Sequence, residues 1–314
     1  MKAFVTGITG FSGGHLAERL ASQGWSVAGS SLHGSWSRDY APERPERFPL
    51  FRWDVSDPAP GDVRNALAVE PPDAFFHLAG ISTPSLCGRY SASPEAVAVN
   101  AAGPLRAAET LLAAAPAARF VFVSSCLVYG DSALDGRPVA EECEARPSTP
   151  YGQTKLEAER RLAEFASTSG LDLRIARSFQ HAGPRQKRPR IVPDWAAQFA
   201  TDAPVVEVFS LDAELDLSDI RDVARAYELL ATHDRPPRIL NVASGRRTTG
   251  RELLAAMQRL APPPREIREL RPGVSRQPIG DVSLIARTLG WSADTPLETT
   301  LRDALVWERN RLLS

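Results

Sequence analysis

The chain has 314 residues, 43% of them hydrophobic and 24% charged, with a formal net charge of −1. That length supports a large core and two lobes, and the composition is that of a soluble globular protein. The near-zero charge excludes a global field that would draw nucleic acid or an acidic membrane surface. The three cysteines, Cys87, Cys126 and Cys143, show no metal-ligand spacing, and their odd count fits a reducing, cytoplasmic setting with no disulfide framework and no metal. The longest apolar candidate, Ala101 to Ala118, carries Arg106 and Glu109 and reads as an amphipathic helix, and the N-terminal run is too short for a signal peptide.

Strand-like and helix-like segments alternate from the start. Lys2–Thr6 reads as a strand, Gly13–Gln23 as a helix closed by Gly24, and Trp25–Ser30 as a second strand. Ala74–Leu78, Phe120–Ser124 and Leu171–Ala176 repeat the strand pattern, with Val97–Ala115 and Pro150–Ser167 as the long helices near them. This rhythm predicts an α/β fold, a Rossmann-type doubly wound parallel sheet. After Phe179 the rhythm changes. Arg185–Arg190 reads as loop, Ile220–Thr232 as a helix capped near Ser218 and Asp219, Arg238–Val242 as a strand able to rejoin the sheet, and Pro262–Pro264 as a stiff break. The expected division is a cofactor domain of 1–179 plus about 217–243, and a smaller C-terminal α/β substrate lobe of 180–216 and 244–314.

Thr6-Gly7-Ile8-Thr9-Gly10-Phe11-Ser12-Gly13 lies between the first strand and the first helix. Glycines at 7, 10 and 13 allow a tight turn, close approach of a diphosphate to the backbone, and close packing of helix on strand. The helix N-terminus then offers free N–H groups to phosphate. A flexible connection would also be glycine-rich; the strand–turn–helix context is what points to a dinucleotide. At the end of the second strand, where an acid normally holds the ribose of NAD, the chain reads Ser30-Ser31-Leu32-His33, and no Asp or Glu occurs between Glu18 and Asp39. Small residues there, with Arg38 or His33 as a cation, predict NADP(H) over NAD(H).

Only three of the 37 basic residues are lysine, and one follows a tyrosine by four: Tyr151-Gly-Gln-Thr-Lys155. On a helix the two share a face. A lysine kept against so strong an arginine bias points to a task for a compact point charge. A neighbouring ammonium is expected to lower the phenol pKa and make Tyr151 a proton donor near neutrality. The alternative, a surface tyrosine stacked on a lysine stem, loses ground once the glycine turn and Ser124-Ser125 are counted with it.

These residues in this order resemble the extended short-chain dehydrogenase/reductases, in particular their sugar-nucleotide epimerase/dehydratase/reductase group: Thr6–Gly13, Asp54-Val55, His77-Leu78-Ala79-Gly80, Asn100, Ser124-Ser125 and Tyr151 with Lys155. The second half, in Arg177–Gln186, Leu217–Tyr227 and Leu240–Gly245, is most similar to GDP-6-deoxy-D-mannose reductases, except that Gln180-His181 stands where these usually have Asn-His. The resemblance implies catalysis by Ser125, Tyr151 and Lys155. It implies cofactor contacts from Gly7, Gly10, Phe11, Ser12, Gly13, Ser31, Arg38, Asp54, Val55, Leu78, Ala79, Gly80, Asn100, Tyr151 and Lys155, and substrate contacts from Ser82, Ser125, Gln180, Arg185, Val192, Arg221 and Arg276. Related dehydratases carry acids just after the catalytic Ser/Thr; here Cys126-Leu127 stand there, which disfavours dehydration. The expected activity is therefore NADPH-dependent reduction of the C4 ketone of a nucleotide-linked 4-keto-6-deoxy sugar, GDP-linked by the resemblance. A sugar-nucleotide 4-epimerase and a catalytically silent dinucleotide-binding subunit are the alternatives. The resemblance also implies a homodimer built on the two long helices.

Overall fold

The computed structural model describes residues 1–37, 41–130 and 136–313. Strand β1 (Lys2–Thr6) runs into Gly7, whose φ of +70° only glycine adopts without strain. Helix α1 (Phe11–Ser22) begins two residues earlier than expected, because Gly10 holds the extended backbone of its N-cap. Next come β2 (Ser26–Ser31), β3 (Leu50–Arg52), α2 (Gly61–Val69) and β4 (Ala74–His77). The helix expected over Val97–Ala115 is three pieces: α3 (Pro94–Ala96), capped by Ser93, a π-helical stretch at Val97–Ala102, and α4 (Gly103–Ala114). Then follow β5 (Arg119–Ser125), α5 (Pro150–Ser169) and β6 (Asp172–Ser178). Thr149 caps α5 by accepting from the Gly152 amide at 3.1 Å, Pro150 takes the first-turn position where no N–H is needed, and left-handed Gly170 ends it.

The remaining elements are β7 (Gln180–Ala182), α6 (Ile191–Phe199), β8 (Val205–Val208), β9 (Glu214–Asp219), α7 (Ile220–Thr232), β10 (Ile239–Val242), β11 (Arg247–Thr249), α8 (Gly250–Leu260), β12 (Glu266–Glu269), α9 (Ser283–Leu289) and α10 (Leu297–Leu313). Of the two expected caps of α7, Asp219 is the one that closes the helix, accepting from the Arg221 amide at 2.8 Å.

A seven-stranded parallel sheet has the order β3-β2-β1-β4-β5-β6-β10. The order reverses between β1 and β4, and ligands of such sheets bind at the carboxyl ends of the strands beside that switch. Phe4, Phe75 and Phe120 stack across β1, β4 and β5 at 5.3 Å spacings, on the face covered by α2, α4 and α5. The opposite face packs on α1, α7 and α9. A separate apolar cluster joins α6, β8, β9, α8 and α10. Ile285 and Leu289 of α9 and the following Trp291 pack in the sheet's own core, although the sequence assigns 244–314 to the second lobe; a seven-residue helix gave no periodicity long enough to show it. Among the described residues no helix is long and apolar enough to cross a membrane.

Candidate functional site

The carboxyl ends of β1, β4 and β5 bring three loops together. A Cβ at Gly7 would lie 2.8 Å from the Ala79 nitrogen, and one at Gly13 only 2.2 Å from the Gly7 carbonyl oxygen, so neither position admits a side chain. Gly10 caps α1 with no side chain across its end. The first turn of α1 therefore presents bare backbone N–H groups, a fitting cradle for the diphosphate of a dinucleotide. Leu78, Ala79 and Gly80 lie against this turn: the Ala79 amide donates to Thr6 Oγ1 at 3.3 Å, and His77 Nδ1 lies 3.1 Å from the same hydroxyl. Burial, then Lys155, holds the His77 imidazole neutral, pushing its pKa down to about 3.

Asn100 sits on the π-helical stretch and reaches the backbone of Ile81 twice, accepting from its amide at 2.7 Å and donating to its carbonyl at 2.9 Å. A third contact, from Nδ2 to Thr154 Oγ1 at 3.3 Å, ties the same side chain to α5. Asn100 thus fixes the Gly80–Ile81 loop relative to the helix that carries Tyr151 and Lys155. Asp54 accepts from the amide and hydroxyl of Ser56, and Val55 packs on Gly103. The Ser31 hydroxyl accepts from the Gly34 amide at 3.1 Å. Arg38 lies outside the described residues.

Ser125 ends β5 and caps the 3₁₀ turn Cys126–Val128, its Oγ accepting from the Leu127 amide at 3.2 Å. That leaves its O–H free to donate, and Ser125 is near enough to Tyr151 to pull the phenol pKa down against burial. Lys155 is buried: its ammonium donates to the Val123 carbonyl at 2.8 Å and lies 4.6 Å over the Phe122 ring. Burial lowers its pKa to about 8, against the opposing pull of Glu159 and Cys87. The expectation for Tyr151 is corrected here. Its phenol is pushed up, not down, because burial, reinforced by Cys126 and Cys87, outweighs Ser125 and Arg190, and Lys155 turns its charge toward Val123 and Phe122. The spacing of Tyr151 and Gly152 against the Ser125 turn is tight, since a Cβ at Gly152 would lie 2.4 Å from the Leu127 carbonyl oxygen.

One turn beyond Lys155 on the same face is Glu159, which the sequence reading passed over. It accepts from Ser124 Oγ at 2.5 Å and pairs with Arg177 at 2.7 Å, both side chains being buried. Arg177 also donates to the Glu141 carbonyl and covers the Tyr129 ring. The spacing Tyr151, Lys155, Glu159 was its available signal: three polar residues on one helical stripe that faces the core. Cys126 is buried and its thiol is pushed up to about 12 by burial and then by Asp216, so it is a packing residue and no proton carrier.

The side facing the second lobe is arranged differently from the expected diphosphate clamp. Arg185, assigned to substrate, is paired with Glu18 of α1 and donates to His15 Nδ1 at 3.2 Å. Its φ of +67° turns the chain after Gly183-Pro184 so that the guanidinium folds back on α1. His15 Nε2 donates to the Pro184 carbonyl at 3.0 Å, and burial, then Arg185, lowers its pKa to about 4. His181 Nδ1 lies 2.9 Å from the Phe179 carbonyl, which fixes the proton there, so Nε2 accepts from Ser12 Oγ at 2.9 Å. Its ring stacks on Phe11. Two residues of the glycine-rich turn are therefore bonded to, or stacked on, the segment carrying Gln180.

Arg221 is held by Asp219 and Asp303, and Arg276 lies 3.4 Å from Glu214, each at roughly half exposure. Val192 and Trp195 are buried in the second-lobe core, so the Val192 side chain does not line the cleft. Gln180 is partly buried on β7, beside Leu217 in register. Arg190 crosses from the second lobe to Ser82, donating to its carbonyl at 3.1 Å, and its charge reaches Tyr151 and His181. It was visible only as one member of the basic run after Pro184.

Residues 3–243 match the NAD dependent epimerase/dehydratase family. The chain is 31% identical to the GDP-6-deoxy-D-mannose reductase of Pseudomonas aeruginosa, over 98% of this chain and 97% of that one. Among solved structures, RMD from Pseudomonas aeruginosa complexed with NADPH superposes with a TM-score of 0.82 at 30% identity, covering 99% of this chain and 98% of that one. The Thermus thermophilus UDP-glucose 4-epimerase, complexed with NAD, gives 0.85 at 25% identity, covering 98% and 99%.

Proposed function

The chain belongs to the NAD dependent epimerase/dehydratase family and is an NAD(P)-dependent oxidoreductase-type enzyme of sugar nucleotides, and from that premise we propose that it reduces the C4 ketone of a nucleotide-linked 4-keto-6-deoxy sugar with NADPH. The favoured reaction is GDP-4-keto-6-deoxy-D-mannose to GDP-6-deoxy-D-mannose (GDP-rhamnose). The observation that carries this reading is Ser125, Tyr151 and Lys155 beside a turn, Cys126–Leu127, that offers no carboxylate. A dehydratase needs a proton donor and acceptor there; a ketone reductase does not.

The cradle made by Gly7, Gly10 and Gly13 fits a dinucleotide, and the absence of an acid at Ser30-Ser31 supports NADP(H) over NAD(H). When bound, that cofactor supplies the hydride. Tyr151 donates its proton to the oxygen that gains negative charge at C4, and Ser125 hydrogen-bonds the same oxygen and orients it. Lys155, held on Val123 and Phe122, fixes the positive charge near Gly80, where a Cβ would stand 3.8 Å from Nζ. Gln180 and Arg190 line the substrate side from a lobe assigned to 180–216 and 244–314 apart from α9, and Ser82 faces them from the cofactor domain of residues 1–179 and about 217–243.

The protein is proposed to act in the cytoplasm as a homodimer through the helices α4 and α5.

Enzyme and NADPH incubated with GDP-, UDP- and dTDP-linked 4-keto-6-deoxy sugars, followed by loss of nicotinamide absorbance, test the reading. Oxidation with the GDP substrate is expected. The structural likeness to an NAD-complexed epimerase keeps one second reading, a 4-epimerase. Inertness toward all 4-keto sugars, together with interconversion of UDP-glucose and UDP-galactose, would replace the first reading by the second.

A further inference from the structure

The adenosine end of the site contains a cation that the sequence reading did not consider. Arg52 is the last residue of β3 and lies in register with Ser31 of β2. Paired residues of neighbouring strands project to the same face of a sheet. On this face Gly29 abuts Ile8, and Leu50 packs in the cluster that includes α1, so Ser31 and Arg52 lie on the side of the glycine-rich turn.

Three further observations meet there. The loop after β2 passes over the Arg52 stem at Gly34 (φ +64°), where a Cβ would come within 3.0 Å of the Arg52 Cβ. Ser31 Oγ accepts from the Gly34 amide, which leaves its hydrogen available to an anion. Trp36 Nε1, on the loop that follows β2 and packed against the α1 face, is buried without a hydrogen-bond partner. Arg52 is exposed and, among the described residues, its guanidinium makes no ion pair or hydrogen bond. Most other arginines near the cleft are committed: Arg185 to Glu18, Arg188 to Asp194, Arg221 to Asp219.

We propose that Arg52 recognises the 2′-phosphate of NADP(H) and thereby sets the cofactor preference of the enzyme. This rests on the NADP(H) reading above. A guanidinium at the end of β3 reaches the phosphate as a planar two-point donor, with the Ser31 hydroxyl beside it. It performs from the third strand the discrimination that an acid at the end of the second strand performs in the opposite sense.

The test is direct binding to the cofactor-free protein by calorimetry, using 2′,5′-ADP against 5′-ADP. For the unaltered protein, 2′,5′-ADP is expected to bind tighter by about tenfold or more. Arg52→Ala should remove that advantage, a loss of about tenfold for one charge-assisted contact, while 5′-ADP binds within about twofold of before. Arg52→Lys, which keeps the charge without the fork, should fall between the two. Circular dichroism melting of each variant controls for folding. Equal binding of the two nucleotides by the unaltered protein would sink the NADP(H) reading and this assignment with it. A preference in the unaltered protein that survives Arg52→Ala, or that disappears with Arg38→Ala or His33→Ala instead, would overturn the assignment alone.

Discussion

On the α5 side of the cleft, Ser124, Lys155, Glu159 and Arg177 are buried, and each polar head meets another group of the chain at 3.1 Å or less. On the facing side, Arg188 and Arg276 are about half exposed, and their partners Asp194 and Glu214 are partly exposed carboxylates. The first arrangement is costly to break, since removing one member leaves a charge in a low-dielectric interior. The second is cheap to rearrange, because exposed pairs contribute only about 0–1 kcal/mol and exchange partners readily. The reacting groups thus occupy a rigid wall, while the wall that meets a variable sugar nucleotide is made of long, exchangeable cations.

The contrast can be broken at four points. Tyr151→Phe should lower turnover by about a thousandfold or more while nicotinamide binding stays near normal, because only the transferable proton is lost. Fluorescence titration with NADPH separates the two; an active variant would remove Tyr151 from the chemistry. Next in size, Glu159→Ala strands Arg177 in the core and should destabilise the fold by about 3–5 kcal/mol in urea melts. A cost under about 1 kcal/mol would mean that the α5 wall is as pliable as the other.

The third concerns His15, whose folded pKa of about 4 lies below the ordinary 6.5 because of burial and then Arg185. Between those values the unfolded chain binds the proton and the native one does not. Stability from this group is therefore complete above about pH 6.5 and is lost as pH falls toward 4, by about 3 kcal/mol. His15→Gln should flatten that part of the stability–pH curve relative to the unaltered protein. The smallest effects belong to the arginine wall. Arg190→Ala should raise KM for the sugar nucleotide by about tenfold with little change in kcat, and Arg185→Ala, whose charge is spent on Glu18, by about twofold or less. Equal effects from the two would restore Arg185 to the substrate.

What the sequence disclosed follows the same division. The parallel sheet, the glycine turn and the Tyr151–Lys155 face were legible because backbone periodicity and local spacing place them; strand ends missed by a residue or two, as with Ser26–Ser31, where the edge is set by pairing with β1. The π-helical stretch was not legible, since apolar spacing over Val97–Ala102 is compatible with a plain helix. Neither were the distant partners of Arg185, Arg190 and His181, namely Glu18, Ser82 and Ser12, which lie at least 108 positions away. The direction of the Tyr151 shift was misjudged for a related reason: proximity to Lys155 in sequence said nothing of which way the ammonium would turn or how dry the site would be.

Gly152 has a bearing on how such an enzyme changes over time. Its missing side chain lets the start of α5 touch the Leu127 carbonyl, so the gap between Ser125 and Tyr151 is set by bare backbone on both sides. A single methyl at that position would act as a shim, lifting one end of a twenty-residue helix and moving the phenol away from its serine while every reacting residue remained present. The alignment of the two therefore depends on a position with no chemistry of its own, and a lineage can lose activity there with its catalytic residues intact.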